Sequence, residues 1–545
     1  MFLVQVEQNT ETEQLKRAFC QTLVAAAQRL PQSPIREEII EFSLIVPHVA
    51  EAATTYLAWV VDEDLFYPFI SLGRFYEGQG SYREAEIWLT SCLEATQKRW
   101  GNEHHQVATS LNNLALLYRT QGRYEEAESR CCQSLKILER LFGENHKDIA
   151  TGFNVLAEIY SYQGRYQEAE QFGLRSLEMR QRLLGQNDSA IWTNLNNLAA
   201  LGYAQGQYEQ AENYYLQALQ IIQQAEGDRN SSIADILSNL GSLYQAQGRY
   251  EEAETFMGTT LQMRVELLGD DHHDVAISLN NLAGLYYCQR RYEEAEPLWQ
   301  RALEIKEHLL GSNHAEVALA LSNLASLYDS QERYDEAERD YQRALEIREQ
   351  VLGETHPVTA TSLNNLAALY CNLERYEQAE QLWQRAIEIR KRTQTTENPD
   401  FATILNNLAY LYKRQEQHQK AEDYYLQALT LQERLLGFDH PDVALILHNL
   451  SYLYRYQRRY AEATQLCERA LHIRQQKLEA DHPDIALSLE HLATLYYHLK
   501  RYGEIENLLA QVLEIRQYRF GENHPDTIAT RETLAMLRQK INNLV

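Results

Sequence analysis

Residues 101–142 read GNEHHQVATSLNNLALLYRTQGRYEEAESRCCQSLKILERLF and contain the pattern of two short helices joined by a turn. The first half carries apolar residues spaced i, i+3, i+4 and i+7, namely Leu111, Leu114, Ala115 and Tyr118. That spacing places them on one face of a first helix. The Gln-Gly-Arg stretch at 121–123 predicts a turn, and a second apolar face starts at Tyr124. The segment predicts a helical hairpin that ends at Gly143, where glycine can adopt the left-handed cap conformation.

The same pattern recurs every 42 residues through most of the chain. Leucine occupies one phase of the repeat throughout, at Leu72, Leu114, Leu156, Leu198, Leu240, Leu282, Leu324, Leu366, Leu408, Leu450, Leu492 and Leu534. A fixed period of this length indicates an array in which each unit buries its apolar face against its neighbours. The sequence therefore predicts an all-α, right-handed superhelical solenoid of antiparallel helix pairs.

Counting repeat phases divides the chain into three predicted parts. Residues 59–521 hold eleven helical pairs, residues 1–58 form an N-terminal helical cap or linker, and residues 522–545 form a C-terminal capping helix. Within the N-terminal part we expect helices near 11–29 and 35–57. The last pair is atypical, as an end unit should be, with Ile505 in place of alanine and His491 in place of asparagine.

The loop before each first helix predicts a helix cap. Several of these loops contain His-Pro, at His356-Pro357, His440-Pro441 and His524-Pro525. Proline suits the first helical position, so the preceding residue should be the N-cap. Where histidine is absent, the same phase holds the preferred N-cap residues Asp188, Asn230 and Asn398. A metal role for these histidines has no support from their spacing, because they lie 42 residues apart. No metal or other cofactor is predicted.

Composition narrows the classes of partner and compartment. The chain is 44% hydrophobic and 23% charged, with a formal net charge of −26, which argues against a nucleic-acid partner. Seven scattered cysteines form no disulfide framework. The N-terminus has no basic leader, and no apolar run approaches the length of a membrane span. We therefore expect a cytoplasmic protein with no membrane partner.

The residues Leu114-Ala115, Tyr118, the Gly-Arg-Tyr turn, Ala127 and the large side chain of Trp299 or Trp383 match the tetratricopeptide pattern. The 42-residue form, best preserved over 278–310 and 362–392, resembles the repeats of kinesin light chains. That resemblance implies an adaptor whose repeat groove binds cargo peptides, while a separate N-terminal coiled coil binds the motor heavy chain. Residues 1–58 show no sustained heptads, so a motor heavy chain is not predicted as a partner.

A second resemblance concerns the N-terminal part. Residues 30–34, LPQSP, and 72–80, LGRFYEGQG, resemble the segment that joins a nucleotide-binding core to a repeat array in bacterial signalling ATPases of the STAND type. The phosphate-binding pattern G-x-x-x-x-G-K-[ST] does not occur in the chain. The alternative function is therefore the sensor or partner-binding half of a signalling NTPase assembly whose nucleotide-binding core is absent from this chain.

Nothing in the sequence predicts an enzyme. The motifs of hydrolases, zinc proteases and dinucleotide-binding proteins do not occur. Glu125, Glu126 and Glu128 recur in other units, so we interpret them as solvated carboxylates at the start of the second helix, where they favour the helix dipole. Cys131 shares its phase with Trp299, which predicts a core thiol.

One polar phase recurs in the middle of the first helix. It is occupied by Asn113, Asn197, Asn239, Asn281, Asn323, Asn365, Asn407 and Asn449, which we call the asparagine row. Asparagine is a mediocre helix former, so its recurrence needs a reason. The amides either bond neighbouring helices in the stack or hold the backbone of an extended peptide, as the matching residue does in peptide-binding repeats of this family. An amide has donors and acceptors for both roles.

The late repeats add aromatic and basic residues beside the asparagine row. These are Tyr410, Lys413, Arg414, Tyr452 and Arg455, which we call the cationic–aromatic patch. They are either ordinary surface charge or part of a groove for a protein or peptide segment. The predicted function is a non-enzymatic interaction scaffold, an adaptor resembling kinesin light chain, with a preference for short acidic segments that carry an aromatic or aliphatic anchor.

Overall fold

The computed structural model of the chain describes residues 10–31, 34, 36–185, 188–227 and 230–542. The ends of the predicted terminal parts, residues 1–9 and 543–545, lie outside the described residues. So do Gln32 and Ser33, which separate the two helices expected in the N-terminal part, and Ile35, at the start of the second of them. Every regular element within the described ranges is a helix, and consecutive helices pack side by side, which confirms the predicted all-α solenoid.

Helices α4 to α25 of the described part form eleven consecutive hairpins. Their first helices are α4 (Phe66–Gly78), α6 (His105–Thr120), α8 (Lys147–Tyr162), α10 (Trp192–Ala204), α12 (Ser231–Gln247), α14 (His273–Cys288), α16 (Ala315–Ser330), α18 (Pro357–Asn372), α20 (Pro399–Arg414), α22 (Pro441–Tyr456) and α24 (Pro483–His498). Their second helices are α5 (Tyr82–Trp100), α7 (Tyr124–Phe142), α9 (Tyr166–Leu184), α11 (Tyr208–Glu226), α13 (Tyr250–Leu268), α15 (Tyr292–Leu310), α17 (Tyr334–Val351), α19 (Tyr376–Arg392), α21 (His418–Leu436), α23 (Tyr460–Lys477) and α25 (Tyr502–Phe520).

Helices outside the 42-residue repeat flank the array at both ends. At the N-terminal end lie α1 (Thr10–Ala27), α2 (Arg36–Ser43) and α3 (Val46–Thr54), and at the other end α26 (Pro525–Asn542) packs against α25. The single helix predicted near 35–57 is wrong, because Pro47 cannot donate a backbone hydrogen bond and instead lies in the first turn of a new helix. The boundaries of the three predicted parts remain predictions.

Small residues at the hairpin interface bring the two helices of each unit together. Ala115 on α6 and Ala127 on α7 are both fully buried, and Leu114 beside them is 1% exposed. Each buried leucine of the repeat stabilises the fold by roughly 1.5–3 kcal/mol relative to an exposed one. Because every unit buries these positions against its neighbours, the core runs along the whole array.

The predicted histidine caps are confirmed. In seven first helices of the described part and in α26, Nδ1 of the residue before the helix accepts a hydrogen bond from a backbone N–H at 3.1 to 3.3 Å. The capping residues are His104, His146, His272, His314, His356, His440, His482 and His524. Side-chain oxygens of Asp188, Asn230 and Asn398 accept equivalent bonds at 2.8 to 2.9 Å. The recurrent histidine therefore satisfies a backbone donor that the helix itself leaves free.

The carboxylates at the start of the second helix connect neighbouring units. Glu422 accepts a hydrogen bond from the Tyr454 hydroxyl at 2.8 Å and from Arg459 at 2.9 Å, and the Arg459 guanidinium lies 3.7 Å from the centre of the Tyr454 ring. Although burial would raise the pKa of Glu422, the hydrogen bonds from Arg459 and Tyr454 lower it overall. The same arrangement surrounds Glu86, Glu128, Glu212, Glu254 and Glu338.

This network corrects the interpretation of Glu128 as a solvated carboxylate, whereas Glu126 is exposed as expected. Glu126 pairs with Arg123 at 2.6 Å within its own unit, and Glu128 pairs with Arg165 of the next unit at 2.8 Å. A charge-assisted pair shared between units stabilises the interface between them, and it needs the carboxylate in every unit. The repetition of these residues therefore has a structural reason.

The second turn of the superhelix contacts the first. Nε2 of His356 lies 3.2 Å from the carbonyl oxygen of Thr120, and Nδ2 of Asn398 donates to the carbonyl of Tyr162 at 3.2 Å, each across 236 residues. Farther along, the backbone N–H of Glu479 donates to Gln247 at 2.9 Å. We call this contact the inter-turn seam. In it, four turns of the first superhelical turn lie in order against four loops of the second. The turns are 120–123, 162–165, 204–207 and 246–249, and the loops are 353–357, 395–399, 437–441 and 479–483. One superhelical turn thus takes between five and six repeats.

The close approach of the two superhelical turns gives a reason for glycine at one phase of the early units. The turn between the two helices has a positive φ in every unit, and this position is Gly80, Gly122, Gly164, Gly206 and Gly248 in the early units. In the later units it is Arg290, Glu332, Glu374, Glu416, Arg458 and Lys500. At Gly164 a Cβ atom would overlap with the backbone of Glu397 across the seam. The positive φ favours glycine but does not require it, whereas the close approach at Gly164 leaves no room for a side chain.

Candidate peptide-binding site

The asparagine row lies on the first helices, and all eight of its members are half-buried. Six of them donate through Nδ2 to the residue 43 positions earlier, on the preceding first helix. These donors are Asn197, Asn239, Asn281, Asn323, Asn407 and Asn449. Asn407, for example, donates to Oδ1 of Asn364 at 3.0 Å, and Asn449 donates to Oδ1 of Asn406 at 3.0 Å.

These bonds supply a structural reason for the asparagine row, which was one of the two interpretations of the sequence. They do not involve Asn113 or Asn365 as donors; Oδ1 of Asn365 accepts from Asn364 at 3.3 Å. The other interpretation, contact with a peptide backbone, remains a prediction. It rests on the half-exposed carboxamides along the same face.

The cationic–aromatic patch is brought together by two neighbouring first helices. Tyr410, Lys413 and Arg414 lie on α20, and Tyr452 and Arg455 lie on α22. Nζ of Lys413 lies 4.6 Å from the centre of the Tyr410 ring and 5.9 Å from that of Tyr452. The Arg455 guanidinium lies 4.9 Å from the centre of the Tyr452 ring. The five side chains thus form one half-buried surface across two units.

Among the residues that the structure describes, two of the three cations in the patch have no neutralising partner. Arg414 pairs with Glu374 at 3.0 Å. Within the described ranges, no carboxylate lies at ion-pair distance from Lys413 or Arg455. Burial, Arg414 and Arg455 together lower the pKa of Lys413 to about 8. An approaching anion would relieve this repulsion, so the surface favours a negatively charged ligand.

The structure adds two features that the sequence analysis did not assign to the patch. Tyr456, which is 63% exposed, lies with its ring centre 5.9 Å from Nζ of Lys413 and 5.6 Å from the Arg455 guanidinium. Its position one helical turn after Tyr452 is a signal that could have found it. The Tyr452 ring also stacks on His491 of the next unit at 3.8 Å, an arrangement that only the packing of units reveals.

The structure places Cys131, the remaining candidate for a reactive side chain, in the core. Cys131 is fully buried, and burial raises the pKa of its thiol to about 12, as the prediction of a core thiol requires.

A cavity of about 820 Å³ lies at the beginning of the inter-turn seam, between 80–86 and 350–357, away from the cationic–aromatic patch. Among the described helices, none combines the length and the apolar character needed to cross a membrane.

Comparison with known families matches almost the whole array. A tetratricopeptide-repeat model matches residues 68–140, 121–182, 189–264, 232–308, 274–349, 316–392, 400–476, 442–517 and 484–544. A second tetratricopeptide-repeat model matches residues 364–435. No curated protein matches the chain.

Solved structures similar to this chain include BtubC (BKLC) from P. vanneervenii, which is 28% identical over 42% of this chain and 92% of its own, with a TM-score of 0.36. Nearly identical TPR-like repeats of a kinesin light chain candidate from Podosopora anserina are 23% identical over 36% of this chain and 93% of their own, with a TM-score of 0.32. A Rap protein in complex with competence and sporulation factor is 14% identical over 78% and 99%, with a TM-score of 0.44.

These overlays are partial, so the assignment rests on the repeat matches, which extend from residue 68 to residue 544. They coincide with the hairpins α4 to α25 and with α26. The chain therefore belongs to the tetratricopeptide-repeat family.

Proposed function

We propose that this chain is an adaptor that binds a short acidic segment of a partner protein at the cationic–aromatic patch on α20 and α22. Tetratricopeptide arrays typically serve as non-enzymatic protein–protein interaction scaffolds, and the patch is the surface of this array with the clearest chemical preference. The observation that carries the proposal is the pair of unneutralised cations, Lys413 and Arg455, in a chain of net charge −26.

The surroundings of the two cations support an acidic ligand with an apolar anchor. Tyr410 and Tyr452 flank Lys413, and Tyr456 extends the aromatic surface toward solvent. Aromatic side chains contribute large contact areas with few rotatable bonds, so they are efficient binding anchors. A ligand carboxylate would pair with Lys413 and Arg455, while a neighbouring aliphatic or aromatic side chain packs on the tyrosines.

The asparagine row has a secondary role in this proposal. Nδ2 of Asn407 and of Asn449 already donates within the stack, so a peptide N–H would have to approach the carboxamide oxygens. Asn407→Ala would also remove a bond between units, and loss of binding in that variant would not separate contact from folding. The charged residues offer a cleaner test.

The test compares two double variants with the same change of net charge. Lys413→Gln with Arg455→Gln removes the cations of the patch, whereas Lys136→Gln with Lys391→Gln removes two exposed cations on second helices. A pull-down with the intact chain followed by mass spectrometry identifies partners, and fluorescence anisotropy then measures short glutamate-rich peptides that carry one tryptophan. We expect the patch variant to bind these peptides more than about tenfold more weakly, with the control unchanged.

Affinity for the acidic peptides should also fall as salt rises, because the proposed pairs are partly exposed. Lysine-rich peptides of the same length should not bind. Equal binding by the two double variants would place the ligand elsewhere on the array. Recovery of a nucleotide-binding signalling protein as the partner would favour the sensor function, which the sequence left as the alternative.

A further inference from the structure

Three side chains that can bind metal converge in the core next to the cationic–aromatic patch. His448 on α22, Cys467 on α23 and His491 on α24 are 7%, 0% and 1% exposed. One ring nitrogen of each histidine and the cysteine sulfur all lie within 4.8 Å of one another. The three residues come from three consecutive helices, so the packing of two repeats brings them together.

The histidines carry polar atoms that the surrounding protein does not satisfy. Within the described residues, Nδ1 of His448 and both ring nitrogens of His491 are buried and have no hydrogen-bond partner. A buried polar atom without a partner destabilises a fold and calls for an explanation. Aromatic packing alone does not provide one, because a ring such as phenylalanine could stack on Tyr452 without this cost.

The repeat itself does not require histidine at either position. His491 occupies the phase of the asparagine row, and His448 occupies the preceding phase, which is asparagine at Asn364 and Asn406. In those units an amide–amide bond connects consecutive first helices, as between Asn449 and Asn406. At the next step along the array both amides are replaced by imidazoles, and a thiol lies beside them.

We propose that His448, Cys467 and His491 form a binding site for a closed-shell d10 metal ion, and that Cu⁺ is the ion that fits it best. Thiolate and imidazole are the ligands that Cu⁺ and Zn²⁺ share. The cluster has three possible ligands in a dry environment, whereas structural zinc is almost always bound by four; Cu⁺ accepts three.

Charge favours the same ion. Arg474, Arg455 and Lys413 are close enough to act on the two imidazoles, and Asp484 acts in the opposite direction on His448. Burial, reinforced by these cations, lowers the pKa of His448 to about 3 and that of His491 to about 2, so both rings are neutral and their nitrogens can bind metal. One thiolate and Cu⁺ sum to zero charge, whereas Zn²⁺ would leave a net positive charge in a positive environment.

The cysteine is a buried thiol with one backbone acceptor. Its sulfur lies 3.4 Å from the carbonyl oxygen of Ser488, and burial raises the pKa of the thiol to about 12, so the metal-free side chain is protonated. Binding would form one metal–sulfur and two metal–nitrogen bonds and release the thiol proton to solvent, with no change of oxidation state. Metal–nitrogen and metal–sulfur bonds of about 2.0–2.3 Å require the three atoms to approach by roughly 1 Å, which side-chain rotation can supply.

The chain contains its own control for the thiol. Cys131 shares the phase of Cys467, is equally buried, and its sulfur lies 3.4 Å from the carbonyl of Gly152 in the matching geometry. The two neighbouring phases, however, hold Asn112 and Val155 in place of the histidines. Cys131→Ser therefore removes a comparable buried thiol that has no imidazole partners.

The test titrates the full chain with Cu⁺ under anaerobic, reducing conditions, against a chelator strong enough to remove Cu⁺ from single thiols. We expect one equivalent to bind to the unaltered chain and to Cys131→Ser, with a thiolate-to-copper charge-transfer band and an X-ray absorption signature of one sulfur and two nitrogens. Cys467→Ser, and His448→Asn with His491→Asn, should weaken binding by more than about tenfold.

The double asparagine variant restores the residues that other units use, so it should keep the fold and can be checked by circular dichroism. A parallel titration with Zn²⁺ tests the choice of ion. Retention of the bound equivalent in the Cys467→Ser and double asparagine variants, or no stoichiometric binding of either ion, would overturn the site. Tighter binding of Zn²⁺ than of Cu⁺ at these residues would overturn the assignment of Cu⁺.

Discussion

Lys413 is the residue on which the charge of the proposed binding surface depends most. Burial and the neighbouring Arg414 and Arg455 lower its pKa to about 8, from an ordinary value of 10.5. The side chain is therefore mostly charged at pH 7 and mostly neutral above pH 9. A ligand carboxylate would raise this pKa again, so proton uptake should accompany binding at alkaline pH.

We therefore predict that affinity for acidic, tryptophan-bearing peptides falls as pH rises from 7 to about 9.5, because Lys413 loses its proton in the free protein. Fluorescence anisotropy at constant ionic strength measures this dependence. Lys413→Arg keeps its charge over the whole range and should bind with little pH dependence. Parallel pH profiles for the original chain and Lys413→Arg would show that another group is responsible.

The start of the first helix is an element in which the residue type follows directly from backbone chemistry. Nδ1 of His146 accepts from the backbone N–H of Asp148 at 3.3 Å, and its ring stacks on Phe142 at 4.0 Å. His146 is a better test of the cap than His440, which also packs near Gly206 across the inter-turn seam.

His146→Asn should keep the cap of α8, whereas His146→Leu should cost about 1 kcal/mol of local stability. Hydrogen exchange in the first turn of α8 is the appropriate measurement, because a long repeat array need not unfold in one cooperative step. If His146→Asn and His146→Leu lower the hydrogen-exchange protection of this turn equally, the stacking on Phe142 stabilises the helix start and the cap does not.

Elements of this kind were predictable because their determinants are local. Leu114, Ala115 and Tyr118 locate the first helix by their spacing, and asparagine at the position of His356 in other units identifies the cap. The error at 35–57 has the same origin, since Pro47 is a local signal that the helical pattern of its surroundings concealed. The partners of Asn407 and Glu128 were not predictable, because each lies in another unit.

The inter-turn seam holds consecutive superhelical turns together and so sets the length of the whole molecule. A substitution at Gly164 tests this. Gly164→Ala should push away the backbone of Glu397 and open the seam, so small-angle X-ray scattering should report a larger radius of gyration with unchanged helical circular dichroism. Comparing Glu332→Ala with Glu332→Gly measures the cost of a side chain at the same positive φ without that close approach. A scattering profile unchanged by Gly164→Ala would mean that the seam does not hold the turns together.

Acid should loosen the same contact through His356. Its Nδ1 accepts from Val358, so the neutral ring carries its proton on Nε2 and donates to Thr120. Burial lowers the pKa of His356 to about 4, and Arg390 and Arg348 add to this effect, against the opposing bond to Thr120. Because the folded-state pKa lies below the ordinary 6.5, this stabilisation is complete above pH 6.5 and is lost as pH falls toward 4.

We therefore expect the radius of gyration to increase between about pH 6.5 and pH 4 in the original chain, and to increase less in His356→Asn. Asparagine is the matched substitution, because Asn398 already caps its helix and donates across the seam to Tyr162 without titrating in this range. His440 and His482, whose pKa values burial also lowers, should account for the remaining change. Identical acid responses in the two proteins would exclude His356 as a contributor.

The sequence by itself determined the hairpins, their 42-residue period, their caps and the family, because helix formation and the packing of neighbouring units depend on residues close along the chain. Only the tertiary structure decided which residues meet across 236 positions. The reason is that the superhelical turn is the sum of small rotations between consecutive repeats, and no single repeat specifies that sum. It likewise placed His491 against Tyr452 and Cys467 beside two imidazoles. The glycine at Gly164 is one trace of that closure in the sequence, because its need for a residue without a Cβ atom is understood only once the Glu397 backbone is known to lie across the seam.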